Sequence, residues 1–348
     1  LCRLFGLSAA PRRVTATFWL LDAPDSLAIQ SRREPDGVGL GVFTPDGTAV
    51  VQKRPVAAYR DTEFAREAKE ATSGTFLAHI RYASTGGLRT ENTHPFLQDG
   101  RLFAHNGVVT GLDRLRDTVG DALGGPVSDL VCGETDSELV FALITAYTRR
   151  HGELGQAIAS AASWIGANLP VYALNLIVTT PTDLWALRYP DTHPLHVLAR
   201  PAGGHQGHRH LEHASASGRL RVRSGDLAAA PATVVASEPM DEDPHWRPLD
   251  PGELLHVAAD QRLTSRIAVP VAPSHQLRLA DLHPQAAASQ RGSVPGPGQG
   301  VGPPVRRTRV RTGRSHGGRP RRARPVCGAG RARADLLVAR HRGYRRGY

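Results

Sequence analysis

A cysteine stands at position 2, beside the start of the chain. If residue 1 is removed, the Cys2 thiol has a free α-amine on its own residue. Such an amine titrates at about 7.7–8.0, so it can act as general base near neutral pH without a histidine. Taken alone, Cys2 reads sooner as a small buried hydrophobe, as free cysteines so often are. Arg81, Thr85, Asn106, Gly107 and Asp136 also carry side chains or backbone suited to holding a polar ligand. Each has a plain structural reading. Arg81 suits an ion pair on a strand, and Thr85 suits a turn. Asn106-Gly107 suits a type I′ hairpin. Asp136 suits the first turn of a helix capped by Thr135 and Glu138.

Six short stretches surround these positions in a fixed order: Cys2-Arg3-Leu4-Phe5-Gly6, Arg33-Glu34-Pro35-Asp36-Gly37-Val38-Gly39, His79-Ile80-Arg81-Tyr82-Ala83-Ser84-Thr85-Gly86, Asn92-Thr93-His94-Pro95-Phe96, His105-Asn106-Gly107-Val108 and Glu134-Thr135-Asp136-Ser137-Glu138. Together the series resembles the class II glutamine amidotransferases. The resemblance implies that Cys2 is an N-terminal nucleophile attacking the side-chain amide of glutamine. It places the substrate's α-carboxylate on Arg81, whose planar guanidinium matches a carboxylate, with Thr85 assisting. It places the α-ammonium on Asp136. The Asn106 side-chain amide and the Gly107 N–H become the oxyanion hole. Attack releases ammonia and leaves a γ-glutamyl thioester, which water hydrolyses to glutamate. No metal or cofactor enters. The fold implied is α+β, a four-layer αββα sandwich with two antiparallel sheets, the N-terminal-nucleophile hydrolase fold.

The pattern departs from the family in three ways. Residue 1 is Leu, where the mechanism needs the initiator removed. Glu34 stands where the family has glycine. No synthase domain follows the amidotransferase motifs, so the chain is most similar to stand-alone members. Some of those cleave a γ-glutamyl amide in a biosynthetic conjugate, as in ergothioneine formation, and the sequence leaves glutamine and such a conjugate both open. On the glutamine reading, a separate ammonia-accepting synthase subunit is the expected partner. A reading of another class, an inactive amidotransferase-like protein binding RNA through a basic tail, also stays open.

Composition bounds these readings. The chain has 348 residues, 40% of them apolar, and a net charge of +11. Residues 285–348 carry 16 arginines and one acid, Asp335, leaving the first 284 residues at −4. The basicity therefore belongs to the tail and gives the body no nucleic-acid footprint. No apolar run reaches 18 residues, which excludes a spanning helix. Three widely spaced cysteines fit a reducing compartment, the cytoplasm by default. His205, His208, His210 and His213 sit in a Gly-rich polar stretch and read as a solvated loop instead of a metal site.

Elements must position the motif residues. Strands are expected at 75–83, 101–110, 233–237 and 253–258, with a hairpin of 174–180 and 184–189 across Pro181-Thr182-Asp183. A helix is expected from Asp61 to about Gly74, burying Phe64, Ala65 and Ala68. Others are expected from the Thr135–Glu138 capping box through Tyr147 and over 153–168. The amidotransferase domain is expected over 2–270, a linker over 271–284 and a disordered tail over 285–348. Out-of-frame translation of a GC-rich gene would give such a tail composition.

Overall fold

The computed structural model describes residues 2–82, 87–203, 212–214, 221–223, 227 and 229–290. Fourteen of its strands are numbered here: β1 (Arg3–Ser8), β2 (Gly37–Phe43), β3 (Ala49–Arg54), β4 (Thr75–Arg81), β5 (Phe96–Gln98), β6 (Arg101–Val109), β7 (Pro170–Thr179), β8 (Leu184–Leu187), β9 (His196–Arg200), β10 (Ala232–Ala236), β11 (Arg247–Pro248), β12 (Glu253–Val257), β13 (Leu263–Ile267) and β14 (His275–Gln276). The helices that matter are α1 (Leu27–Gln30), α2 (Thr62–Glu70), α3 (Leu112–Leu123), α4 (Asp136–His151), α5 (Leu154–Asn168) and α6 (Pro284–Gln290).

The strands form two large sheets. The first runs β11-β9-β10-β1-β4-β2-β3, and the second runs β13-β12-β8-β7-β6-β5. Their pairings are antiparallel, apart from β14, which joins β7 in parallel. Three apolar layers bind the stack. Leu4, Leu77, Leu102, Ile177 and Val235 lie between the sheets. Phe5, Leu7 and Phe76 turn the other way onto Trp19, Phe64 and Ala68 of the first helical layer. Phe103, Leu174 and Val178 pack on Leu139, Leu143, Ile158 and Ile165 of the second. Side chains alternate faces along a strand, so a sheet covered on both sides must be apolar at nearly every position. That is why β1 is buried throughout. The result is the expected α+β, four-layer αββα sandwich.

Most expected elements fall where the patterns placed them, within a few residues. Asp61 caps α2 through Oδ1, which accepts from Glu63 N at 3.0 Å and Phe64 N at 3.2 Å. The helix stops at Glu70, short of Gly74, because Thr72–Ser73 pairs with Val14–Thr15. Ala65 is only half-buried, while Glu67 is buried. The 271–284 linker and the tail boundary at 285 need correcting. β14 pairs with β7, and Leu277, Leu282, Ala286 and Ala287 pack on Val108, Tyr172 and Ala173. These few apolar residues among Pro, His and Gln gave no periodic signal. The rest of the expected tail, residues 291–348, lies outside the described residues. Among the described residues no helix is long and apolar enough to cross a membrane. His205, His208 and His210 lie outside them, as does the side chain of His213.

Candidate active site

Cys2 precedes β1, which lies between β4 and β10. The register Arg3↔Ile80 sets Cys2 against the end of β4, where Arg81 and Tyr82 follow. The Tyr82 N–H donates to Cys2 Sγ at 3.3 Å, and the thiol donates to Tyr82 O at 3.4 Å. Burial pushes the thiol pKa up. The Tyr82 N–H and the Arg81 charge oppose that rise, and the Glu34 charge adds to it. Glu34 is itself 1% exposed, and burial raises its carboxyl while Arg3 and Arg33 pull it down.

Arg81 is 4% exposed, and its Nη1 donates to Gly87 O at 3.1 Å. Asn92 Nδ2 donates to the same oxygen at 3.2 Å, and Asn92 Oδ1 accepts from Glu134 N at 3.0 Å. Asn92 thus ties the segment after Arg81 to the loop that opens α4. Burial lowers the Arg81 pKa, against the pull of Cys2, Asp36 and Asp136. Thr85 lies outside the described residues.

Asp136 is the first residue of α4, with Thr135 Oγ1 accepting from Glu138 N at 3.3 Å. Only half of the expected capping box forms. Glu138 turns back to accept from Cys132 N at 3.0 Å and Gly133 N at 2.6 Å. Asp136 Oδ2 accepts from Val109 N at 2.9 Å and Oδ1 from Ser137 N at 2.9 Å, which fixes the carboxylate. Capping and projection toward a ligand are compatible here.

Asn106 and Gly107 are not a hairpin turn. Both lie inside β6, opposite Asn175 and Leu174. A Cβ on Gly107 would stand 1.9 Å from Ala173 O, so only glycine lets the two strands approach. Asn106 Nδ2 donates to Cys2 O at 2.9 Å, joining the second sheet to the residue that precedes β1. An amide nitrogen carries two protons, and this bond uses one.

Cys2, Arg81, Gly107 and Asp136 line one cleft, together with Asn92, His94 and His105. The last three lie in the quoted motifs but carry no role from sequence reasoning. His105 Nδ1 faces Ser137 Oγ at 3.0 Å, and burial lowers its pKa. The His79 and His94 rings pack at a 39° tilt with centroids 4.2 Å apart, and burial pushes His79 down to about 3. Burial pushes His94 well below its ordinary value too, so both rings are neutral at pH 7, His94 bordering the cleft and His79 packed against it. Tyr82 and Asn92 were also missed. A buried asparagine between turn residues is the signal that marks Asn92. Tyr82 acts through its backbone, which no side-chain pattern reveals. Among the described residues no cluster of His, Cys, Asp and Glu is arranged to hold a metal.

Two sheets between helical layers, with a cysteine at the head of a central strand, define an N-terminal-nucleophile hydrolase fold. Residues 1–278 match the family model of class-II glutamine amidotransferases, and the chain belongs to that family of enzymes. It is similar to the gamma-glutamyl-hercynylcysteine sulfoxide hydrolase of Mycolicibacterium smegmatis, 28% identical over 74% of this chain and 96% of the relative. The protein of that name from Mycobacterium tuberculosis is 30% identical over 74% of this chain and 93% of its own length. Among solved structures, the glutamine phosphoribosylpyrophosphate amidotransferase of B. subtilis shares the fold. Its TM-score is 0.53 at 19% identity, over 78% of this chain and 50% of that one.

Proposed function

We propose that this protein hydrolyses the γ-amide bond of a γ-glutamyl compound through Cys2. The observation that carries the reading is the shared cleft, in which the Cys2 thiol stands with the Arg81 guanidinium and the Asp136 carboxylate. Those two charges complement the α-carboxylate and α-ammonium of a γ-glutamyl group, which would aim its amide carbon at Sγ. Thr85 is assigned to the same carboxylate on the resemblance alone.

Burial keeps the thiol protonated, so attack needs a base. In the mature chain the Cys2 α-amine takes the thiol proton as Sγ bonds to the carbonyl carbon. The oxyanion is stabilised by the second proton of the Asn106 amide and by the Gly107 N–H. Collapse breaks the C–N bond, and the ammonium formed on Cys2 returns its proton to the departing amine. Water then cleaves the thioester, and glutamate leaves.

The family's description names glutamine as substrate. Relatives matched over nearly their whole length are named for a γ-glutamyl cysteine conjugate, which favours a conjugated amine over ammonia as the leaving group. A conjugate hydrolase needs no ammonia-accepting subunit, whereas an amidotransferase that passes on ammonia does. Intact-protein mass spectrometry with a glutamine-analogue electrophile tests the reading. One adduct on a chain beginning at Cys2, absent in Cys2→Ala, is expected. No adduct on a chain whose first residue is Cys2 overturns it.

A further inference from the structure

His105 is a buried titratable group in the cleft that the reaction just described does not use. It lies on β6 two residues before Gly107, so both positions belong to one face of the strand. A Cβ on Gly107 would stand 2.7 Å from His105 Nε2. β6 and the start of α4 are joined at two points. Val109 N donates to Asp136 Oδ2 at 2.9 Å, and His105 Nδ1 lies 3.0 Å from Ser137 Oγ. The first bond holds the carboxylate. The second involves a hydroxyl proton whose direction the surroundings decide.

The partner of the other ring nitrogen sets that direction. His105 Nε2 lies 3.4 Å from Ala173 O on β7, and a carbonyl oxygen only accepts. Nε2 therefore carries the proton of the neutral ring, and Nδ1 accepts from the Ser137 hydroxyl. Burial lowers the His105 pKa, although the Asp136 charge opposes the shift, so the ring is neutral at pH 7. Ser137 Oγ also lies 3.4 Å from Asp136 Oδ1, a second acceptor within reach. A serine hydroxyl has one proton to give, and the ring, at 3.0 Å, takes it.

That choice leaves Asp136 with backbone donors, the Ser137 N–H on Oδ1 and the Val109 N–H on Oδ2, each at 2.9 Å. A carboxylate offers roughly four lone-pair sites, so about two stay open for a ligand. With the Ser137 proton turned to Oδ1, one of these would be filled and part of the negative charge offset.

We propose that His105 is a positioning residue for substrate binding, which draws the Ser137 proton away from Asp136 and so keeps that carboxylate open to the α-ammonium of the γ-glutamyl group. The inference rests on the reading of Cys2, Arg81 and Asp136 as a γ-glutamyl site and deepens it. Recognition of the free α-amine is set by Asp136, Ser137 and His105 together, with the ring acting through the hydroxyl and not on the reacting bond.

The test uses the full-length protein and a probe without a glutamyl part. Alkylation of Cys2 by iodoacetamide, read by peptide mapping, is slowed by a ligand that fills the cleft. Glutamate carries the α-ammonium, and glutarate is the same diacid without it. In His105→Leu the Ser137 proton turns to Asp136. Protection by glutamate should then weaken roughly tenfold, about the value of one charge-assisted hydrogen bond, with protection by glutarate within about twofold of the parent. His105→Asn keeps an acceptor near the place of Nδ1 and should bind glutamate as the parent does. So should Ser137→Ala, which leaves Oδ1 open. The double variant His105→Leu/Ser137→Ala has no hydroxyl to misdirect and should recover glutamate protection, a result that damage to the fold would not give.

Glutamate protection unchanged in His105→Leu overturns the proposal, as does a loss that glutarate shares or that the double variant retains. A comparable loss in Ser137→Ala alone overturns it too, since the hydroxyl itself would then serve the ligand. If neither diacid protects the parent, the γ-glutamyl site is wrong and the inference falls with it.

Discussion

Tyr82 and Cys2 are joined twice, the Tyr82 N–H donating to Sγ at 3.3 Å and Sγ donating to Tyr82 O at 3.4 Å. The N–H favours thiolate, the carbonyl favours thiol, and burial tips the balance to thiol. A thiol held above its ordinary pKa is protonated at neutral pH. With residue 1 still attached, alkylation of Cys2 by iodoacetamide should therefore rise with pH, with a midpoint above the ordinary thiol value of about 8.5. Peptide mapping at Cys2 distinguishes it from the other cysteines. A midpoint below about 8 would mean that the Tyr82 and Arg81 contributions outweigh burial.

Asn106→Ala removes both the bond to Cys2 O and the proposed oxyanion donor. Turnover should fall roughly 10²–10³-fold, the usual effect of losing one such donor. Burst kinetics should show the loss in thioester formation. Near-normal turnover would leave Asn106 as a tie between the sheets and nothing more.

Much of this arrangement was legible in the sequence, and the exceptions share a cause. Patterning located β4, β6, α4 and α5 because each is apolar along most of its length, β4 and β6 on both faces. Asn106-Gly107 read locally as a turn, since the 1.9 Å approach to Ala173 O that demands glycine comes from a strand some 65 residues away. The capping box was half right because Glu138 found the Cys132 and Gly133 N–H groups nearer to hand. His193 and Gln290, 97 residues apart, meet only after the chain has folded. Local signals specify elements, whereas contacts made between elements are the part a single sequence hides.

Gly107→Ala tests the strand approach. The added methyl overlaps backbone, which cannot rotate away, so the β6–β7 pairing must shift. A loss of about 1–3 kcal/mol is expected, lowering the melting temperature by several degrees. A protein with an unchanged melting temperature would show that the strands separate at little cost. Activity should fall further than stability, because the Gly107 N–H moves with its strand.

Arg81→Lys keeps the charge and loses the fork. Its bond to Gly87 O can be remade by an ammonium, but a bidentate grip on a carboxylate cannot. KM for a γ-glutamyl substrate should rise roughly tenfold or more, with kcat less affected. Steady-state kinetics decides, and an unchanged KM would assign Arg81 to the loop alone.

Lys53 offers a test of stability away from the chemistry. Its ammonium lies 4.9 Å from the centroid of the Phe96 ring, and burial pushes its pKa from 10.5 down to about 8, although Glu138 and Glu91 oppose the shift. Between those two values the unfolded chain binds a proton that the folded one does not. Stability contributed by this group is therefore present above about pH 10.5, and is lost as pH falls toward the folded value of about 8. At pH 7 the buried charge costs up to about 3 kcal/mol by linkage. Lys53→Met keeps the volume and removes that cost, so it should raise the melting temperature at pH 7 by a few degrees. The gain should shrink by pH 9.5, where the parent has already shed the proton. Chemical denaturation at the two pH values reads the difference directly. A variant less stable than the parent at pH 7 would mean that Glu138 and Glu91 stabilise the ammonium by more than burial costs.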